Sequence, residues 1–101
     1  MTSLRVSPEA EEELAAAADW YEGRRPGLGA ELVAEIDRAF EDLSVSPLAC
    51  ALWRNDRPYR RKLLHRFPYV IFFRIDGETV RVDAIAHVRR RPGYWIGRSR
   101  T

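Results

Sequence analysis

The stretch Y-V-I-F-F-R-I-D-G-E-T-V-R-V-D-A-I-A-H, Tyr69 to His87, decides the fold. Two apolar runs with strand periodicity flank Asp76-Gly77, a dipeptide that suits a two-residue type I′ hairpin loop because glycine tolerates positive φ. With that loop, Ile75 pairs with Glu78, Phe73 faces Val80, Ile71 faces Val82 and Tyr69 faces Ala84. This apolar set is expected to cover the rest of the core. Val70, Phe72, Arg74, Arg81, Asp83, Ile85 and His87 then share the opposite, open face.

Upstream, residues 61–66 read as a further strand and Phe67-Pro68 as its turn, which completes a three-stranded antiparallel meander. Residues 47–59 are irregular and rich in Arg, Asn, Asp and Pro, so they read as a loop. The N-terminal half has a different period. Leu4-Arg5-Val6 is a short strand, Ser7 is an N-cap and Pro8 opens a helix whose first turns carry Glu9, Glu11, Glu12 and Glu13. Ala10, Leu14, Ala17, Ala18 and Tyr21 make one helical face, and the helix is expected to stop near Gly23. After the turn at Arg24 to Gly27, a second helix runs from Leu28 to Leu43 with Leu28, Leu32, Ile36, Phe40 and Leu43 on one side. The predicted fold class is α+β, one domain over residues 1–101: an N-terminal strand, an antiparallel helical hairpin and the meander, β-α-α-β-β-β.

Composition narrows the function. Apolar residues are 46% and charged residues 32% of the 101, a balance that suits a folded domain rather than a disordered tail. No apolar run reaches the roughly 18–20 residues of a membrane helix. Cys50 is the single cysteine, which points to a reducing compartment, and no secretory signal is visible, so a cytoplasmic location is expected. Two histidines 22 positions apart and one cysteine match no metal-ligand spacing, and no cofactor motif is present. Residues 1–50 hold 4 Arg against 11 acids, whereas residues 51–101 hold 12 Arg and 1 Lys against 4 acids. One acidic and one basic face follow. Arginine outnumbers lysine 16 to 1; a GC-rich genome produces that bias, and so does a need for forked phosphate or carboxylate contacts.

The segment H-V-R-R-R-P-G-Y-W, His87 to Trp95, places three arginines and two aromatics at the end of the last strand. With Arg74 and Arg81 they form the expected target-binding set: Arg74, Arg81, His87, Arg89, Arg90, Arg91, Tyr94 and Trp95. Such a surface suits phosphate contacts and base stacking, and equally an acidic protein partner. The blander alternative folds Tyr94 and Trp95 back over the core. A metal-free phosphodiester cleavage needs a base, an acid and cations, and Arg61, Lys62, Arg74, Arg81, His87, Arg89 and Tyr94 are the candidates for it. A lone strand-end histidine is more often structural, bonded to a carbonyl or to a carboxylate such as Asp83.

The run from Arg60 to Trp95, with F-P-Y at Phe67 to Tyr69 and H-x-R at His87 and Arg89, resembles the C-terminal half of the ParE/RelE toxin superfamily, the plasmid stabilisation proteins. S-P-E-A-E-E-E-L at Ser7 to Leu14, W-Y at Trp20-Tyr21 and G-x-x-L at Gly29 to Leu32 extend the resemblance over nearly the whole chain. It implies the β-α-α-β-β-β fold and a toxin of a type II toxin–antitoxin pair that inhibits growth. It also implies a cognate antitoxin that folds on the toxin to give a hetero-oligomer. The H-x-R ending is closer to the ParE branch, whose members poison DNA gyrase without a known nuclease activity. RelE-like members cleave messenger RNA on the ribosome, and the lysine pair they use is not clearly matched here. The reading therefore leans to a non-enzymatic, gyrase-directed toxin. The alternatives are a ribosome-dependent endoribonuclease and a degenerate toxin acting as a binding module.

Overall fold

Ser7 separates the first two elements and does so by capping. The computed structural model describes residues 3–98. In it β1 (Ser3–Val6) leads into α1 (Pro8–Arg24), and the Ser7 hydroxyl accepts the Ala10 amide at 3.1 Å. Proline at the first helical position costs no hydrogen bond, since that amide has no partner inside the helix. Helix α2 (Leu28–Val45) starts at Gly27, whose φ of 88° only glycine adopts freely. Helix α1 ends at Arg24, one residue past Gly23 and where the sequence placed its stop, and the left-handed glycine follows at Gly27. The Glu22 carboxylate accepts the amides of Gly27 (2.8 Å) and Gly29 (3.1 Å), placing an anion at the positive end of α2. At Gly29 the helices touch: a Cβ there would lie 2.5 Å from the Ala18 carbonyl oxygen.

A 3-10 turn, Pro47–Ala49, and an isolated bridge from Leu52 to Arg60 give structure to the expected loop. Then come β2 (Tyr59–Leu63), β3 (Tyr69–Asp76) and β4 (Thr79–His87). Strand β2 lies two residues earlier than its expected start at Arg61, because Tyr59 is buried and pairs with Arg74. The sheet order is β1-β4-β3-β2, with β1 parallel to β4 and the other neighbours antiparallel.

The register departs from the expected one twice. The loop residues are Gly77 and Glu78, so Asp76 pairs with Thr79 and Ile75 with Val80. Positive φ occurs at Gly77 and at no non-glycine residue among those described, the pattern of a II′ turn rather than I′. That shift of two keeps every side chain on its predicted face. The second departure does not. Phe73 pairs with Val82 but Phe72 pairs with Ala84, leaving Asp83 as the extra residue of a β-bulge. Beyond it the faces exchange: Ala84 and Ala86 turn to the open side, while Ile85 and His87 turn toward the helices.

Two cores result. One lies between the helical hairpin and the sheet, with Leu32, Ile36 and Leu43 against Ile71, Phe73, Val80, Val82 and Ile85. The other lies on the opposite face, where Trp95 and Trp53 cover Val70, Phe72, Ala84 and Ala86 beside Tyr59. Burial of such side chains is the main favourable term, about 1.5–3 kcal/mol each. No helix of the described residues is long and apolar enough to cross a membrane.

Candidate functional site: the second face of the sheet and its arginines

Strand β1 ends at Val6, opposite Val82, so β4 has no neighbour on that side from Asp83 onward. The bulge and this bare edge leave backbone groups that need partners. Side chains supply them. The Ile85 amide donates to Glu13 Oε1 at 3.0 Å, and the Asp83 carbonyl accepts from the Ser7 hydroxyl (3.3 Å) and from Arg98 (3.1 Å). Glu13 also accepts from Arg98, Arg90 and the Tyr94 hydroxyl, so one carboxylate ties the C-terminal segment to α1 and β4. The Tyr94 hydroxyl is pushed well above its ordinary range, first by burial and then by its hydrogen bond to Glu13.

That tie holds Trp95 down on the sheet. Trp95 is 0% exposed, stacks on Phe72 with ring centroids 3.8 Å apart, and touches Trp53 and Tyr59. The expected stacking platform for bases is thus a core. Trp95 is not available as a contact residue, because Ala84 and Ala86 provide a flat floor on which the indole packs. Tyr94 is half-buried rather than displayed, and Arg90 stacks over its ring at 3.6 Å.

His87 does not join Arg74 and Arg81 on the open face, since the bulge turns it to the other side. Its ring lies 5.3 Å from that of Tyr69, edge-on, and Nδ1 accepts the Arg89 amide at 3.1 Å. Asp83 pairs with Arg74 (3.2 Å) instead. Burial raises the Asp83 carboxyl above the ordinary aspartate range, and the Arg74 guanidinium offsets only part of that. Arg61 and Lys62 point to opposite faces, as consecutive strand residues must: Arg61 is exposed, and Lys62 reaches Asp42 on α2 at 3.6 Å. Arg89 and Arg91 are exposed and make no ion pair with a described residue. The candidates for cleavage chemistry therefore do not converge: Arg74 and Arg81 lie near the hairpin turn, Arg61 is on the same face but on β2, Lys62 is on the helix side with Asp42, Tyr94 is held by Glu13, and His87 and Arg89 sit at the end of β4. No histidine shares a face with the arginine pair.

Two buried glutamates, Glu13 at this surface and Glu35 in the helical layer, were missed in the sequence, although a signal was there. Glu13 lies three residues after Ala10 and four before Ala17, hence on the buried stripe of α1 and not on its solvated side. Glu35 has the same relation to Leu32 and Ala39; it is 7% exposed and its Oε2 accepts the amides of His65 (2.6 Å) and Arg66 (3.3 Å). Among the described residues no cluster of three or more His, Cys, Asp or Glu is placed to hold a metal ion.

A two-layer α+β domain with a helical hairpin on one side of the sheet and an arginine-rich second face has a solved relative. A chain from the chromosomal ParDE toxin–antitoxin system of P. aeruginosa superposes with a TM-score of 0.75 at 24% identity, covering 86% of this chain and 96% of its own. At that identity the likeness speaks to the fold. The sequence itself matches the family model for the ParE toxin of the type II toxin–antitoxin system, parDE, over residues 4–92. The chain belongs to the ParE toxin family. No curated protein matches it.

Proposed function

We propose that this chain is a cytoplasmic growth-inhibiting toxin that acts by binding DNA gyrase and is neutralised by a cognate antitoxin in a hetero-oligomer. Membership of the ParE family over residues 4–92 carries the reading. The geometry of the second face supports binding over chemistry, because general acid–base cleavage needs its groups within hydrogen-bond reach of one reacting centre. Here His87 and Tyr69 face the helices, Tyr94 is committed to Glu13, and Trp95 fills the middle of the sheet.

The exposed turn after β4 offers the target contact. Arg89 and Arg91 are solvent-facing cations without a described ionic partner, and guanidinium forks suit carboxylates or phosphates of a large assembly. Purified toxin is expected to inhibit gyrase supercoiling, and the Arg89→Ala/Arg91→Ala pair is expected to weaken that inhibition at least tenfold with an unchanged melting temperature. Full supercoiling activity at saturating toxin, together with codon-positioned cuts in translated messenger RNA, would replace this reading with the endoribonuclease one.

A further inference from the structure

The strand register brings together a feature that the bulge and the Trp95 core do not use. Arg5 pairs with Arg81 across β1 and β4, and Arg81 pairs with Arg74 across β4 and β3. Three guanidinium side chains thus stand at consecutive register positions across three adjacent strands, rooted at about 5 Å intervals. Like charges directly opposite one another are destabilising in a sheet, so this arrangement needs compensation.

The compensation within the chain is incomplete. Asp76 takes the Nε of Arg81 at 3.0 Å, and Asp83 takes the Nε of Arg74 at 3.2 Å. Both bonds use the Nε donor, which leaves four terminal N–H groups on each of these arginines without a described partner. Arg5 makes no ion pair with a described residue. All three arginines line one cavity of about 540 Å³, closed on one side by the start of α1. That volume lies in the range of small-ligand sites. Its carboxylates do not fill the donors: Asp76 and Asp83 each serve one arginine, and Glu9 alone remains on the rim.

We propose that this cavity is a binding site for an oligophosphate, a chain of linked phosphate groups in which neighbouring phosphates are gripped by Arg5, Arg81 and Arg74. Guanidinium forks hold phosphate oxygens bidentately, and donors in a row match a linear polyanion better than a single ion. The start of α1 forms the same wall, but Glu9 there outweighs the roughly half-unit positive charge of the helix end, so the arginines alone supply the attraction. Asp76 and Asp83 act as positioning residues, holding Arg81 and Arg74 by Nε so that their terminal nitrogens face the ligand. The proposal uses Arg74 and Arg81 of the expected target-binding set, but it is tested apart from the gyrase reading because Arg5 lies outside that set and Arg89 and Arg91 lie at the opposite end of β4.

Isothermal titration of the full chain with inorganic tripolyphosphate tests it, with circular dichroism confirming that each variant is folded. Saturable one-to-one binding is expected. Arg5→Ala and Arg81→Gln should each raise the dissociation constant about tenfold or more, the worth of one charge-assisted hydrogen bond. Arg5→Lys keeps the charge without the fork and should fall between wild type and Arg5→Ala, while Arg38→Ala, an exposed arginine on α2, should bind as wild type does. Equal losses in Arg5→Ala and Arg38→Ala would mean a diffuse ionic atmosphere and overturn the site. Binding of a short DNA duplex or an acidic peptide in an Arg5-dependent way, with none of tripolyphosphate, would overturn the assignment of the ligand.

Discussion

Replacing Glu13 by alanine should release the C-terminal segment and cost a large part of the stability of the domain. The Glu13 side chain is 13% exposed, and its two oxygens serve Ile85, Arg98, Tyr94 and Arg90. Arg90 is half exposed, so its share is small after solvent screening. Arg98 is 19% exposed and forked on the carboxylate, a charge-assisted contact worth about 1.5–3 kcal/mol. The Ile85 amide would be left without an acceptor, at roughly 1–3 kcal/mol. About 3–5 kcal/mol is the expected total, against roughly 5–15 kcal/mol for a domain of this size. At about 4–8 °C per kcal/mol, the melting temperature should fall by roughly 12 °C or more. Urea unfolding followed by far-UV circular dichroism measures this, and the Trp95 indole resonance reports whether the segment has lifted. Glu13→Gln keeps an acceptor for Ile85 and should lose less than half as much. A loss below about 1 kcal/mol in Glu13→Ala, or equal losses in the two variants, would refute the claim that this carboxylate secures the bulge.

Four further substitutions and titrations probe the same architecture. Gly29→Ala drives a methyl against the Ala18 carbonyl, so the helices must part; about 1–3 kcal/mol should be lost in thermal melts. Trp95→Ala should cost about 3–5 kcal/mol, whereas Trp95→Phe should cost far less, because the indole Nε1 is buried without a described hydrogen-bond partner and phenylalanine removes that donor. Tyr94 should be the last tyrosine to ionise in an ultraviolet titration, and Glu13→Gln should bring it part of the way down; because its folded value is raised, its stabilising contribution holds below the ordinary tyrosine value near 10 and declines as pH rises through and above it. Glu31 behaves oppositely. The hydrogen bond from Arg66 lowers its carboxyl, so its contribution holds above its unfolded value of 4.5 and is lost as pH falls below that, which an acid unfolding curve of Glu31→Gln would show as a smaller acid slope.

The element order was legible because the periodicity changes once, from about four to two, and because Ser7-Pro8, Gly27 and Gly77 mark breaks that local chemistry enforces. Those are short-range effects, and a single sequence carries them. What was not legible depended on distant partners. That β1 runs parallel to β4 follows from the helical hairpin returning the chain across the sheet, and no local residue announces it. The early start of β2 is set by Tyr59 finding the Trp95 cluster, a contact 36 positions away in the chain. Glu13 looked like one more member of the acidic first turns of α1, and Glu35 drew no notice between Ala34 and Ile36; counted by helical phase, both fall on the buried stripes.

The site was less legible than the fold, and one residue explains most of the difference. Without the bulge at Asp83, strict alternation would have put Ile85 and His87 beside Arg74 and Arg81, with Ala84 and Ala86 against the helices. That arrangement would have left a histidine among arginines on an open sheet. The extra residue exchanges the two sets, and the sizes of the side chains show why this register is the stable one. Ile85 fills the core under α1 and α2, where an alanine would leave a cavity, and Ala84 and Ala86 lie under an indole, where isoleucine would collide with it. The small–large–small pattern at residues 84–86 therefore carries the register, read against Trp95 and not against the opposite strand. A sheet face given over to packing an aromatic core keeps its polar side chains at the margins: Arg61 on β2, and the row from Arg5 to Arg74 that crosses β1, β4 and β3.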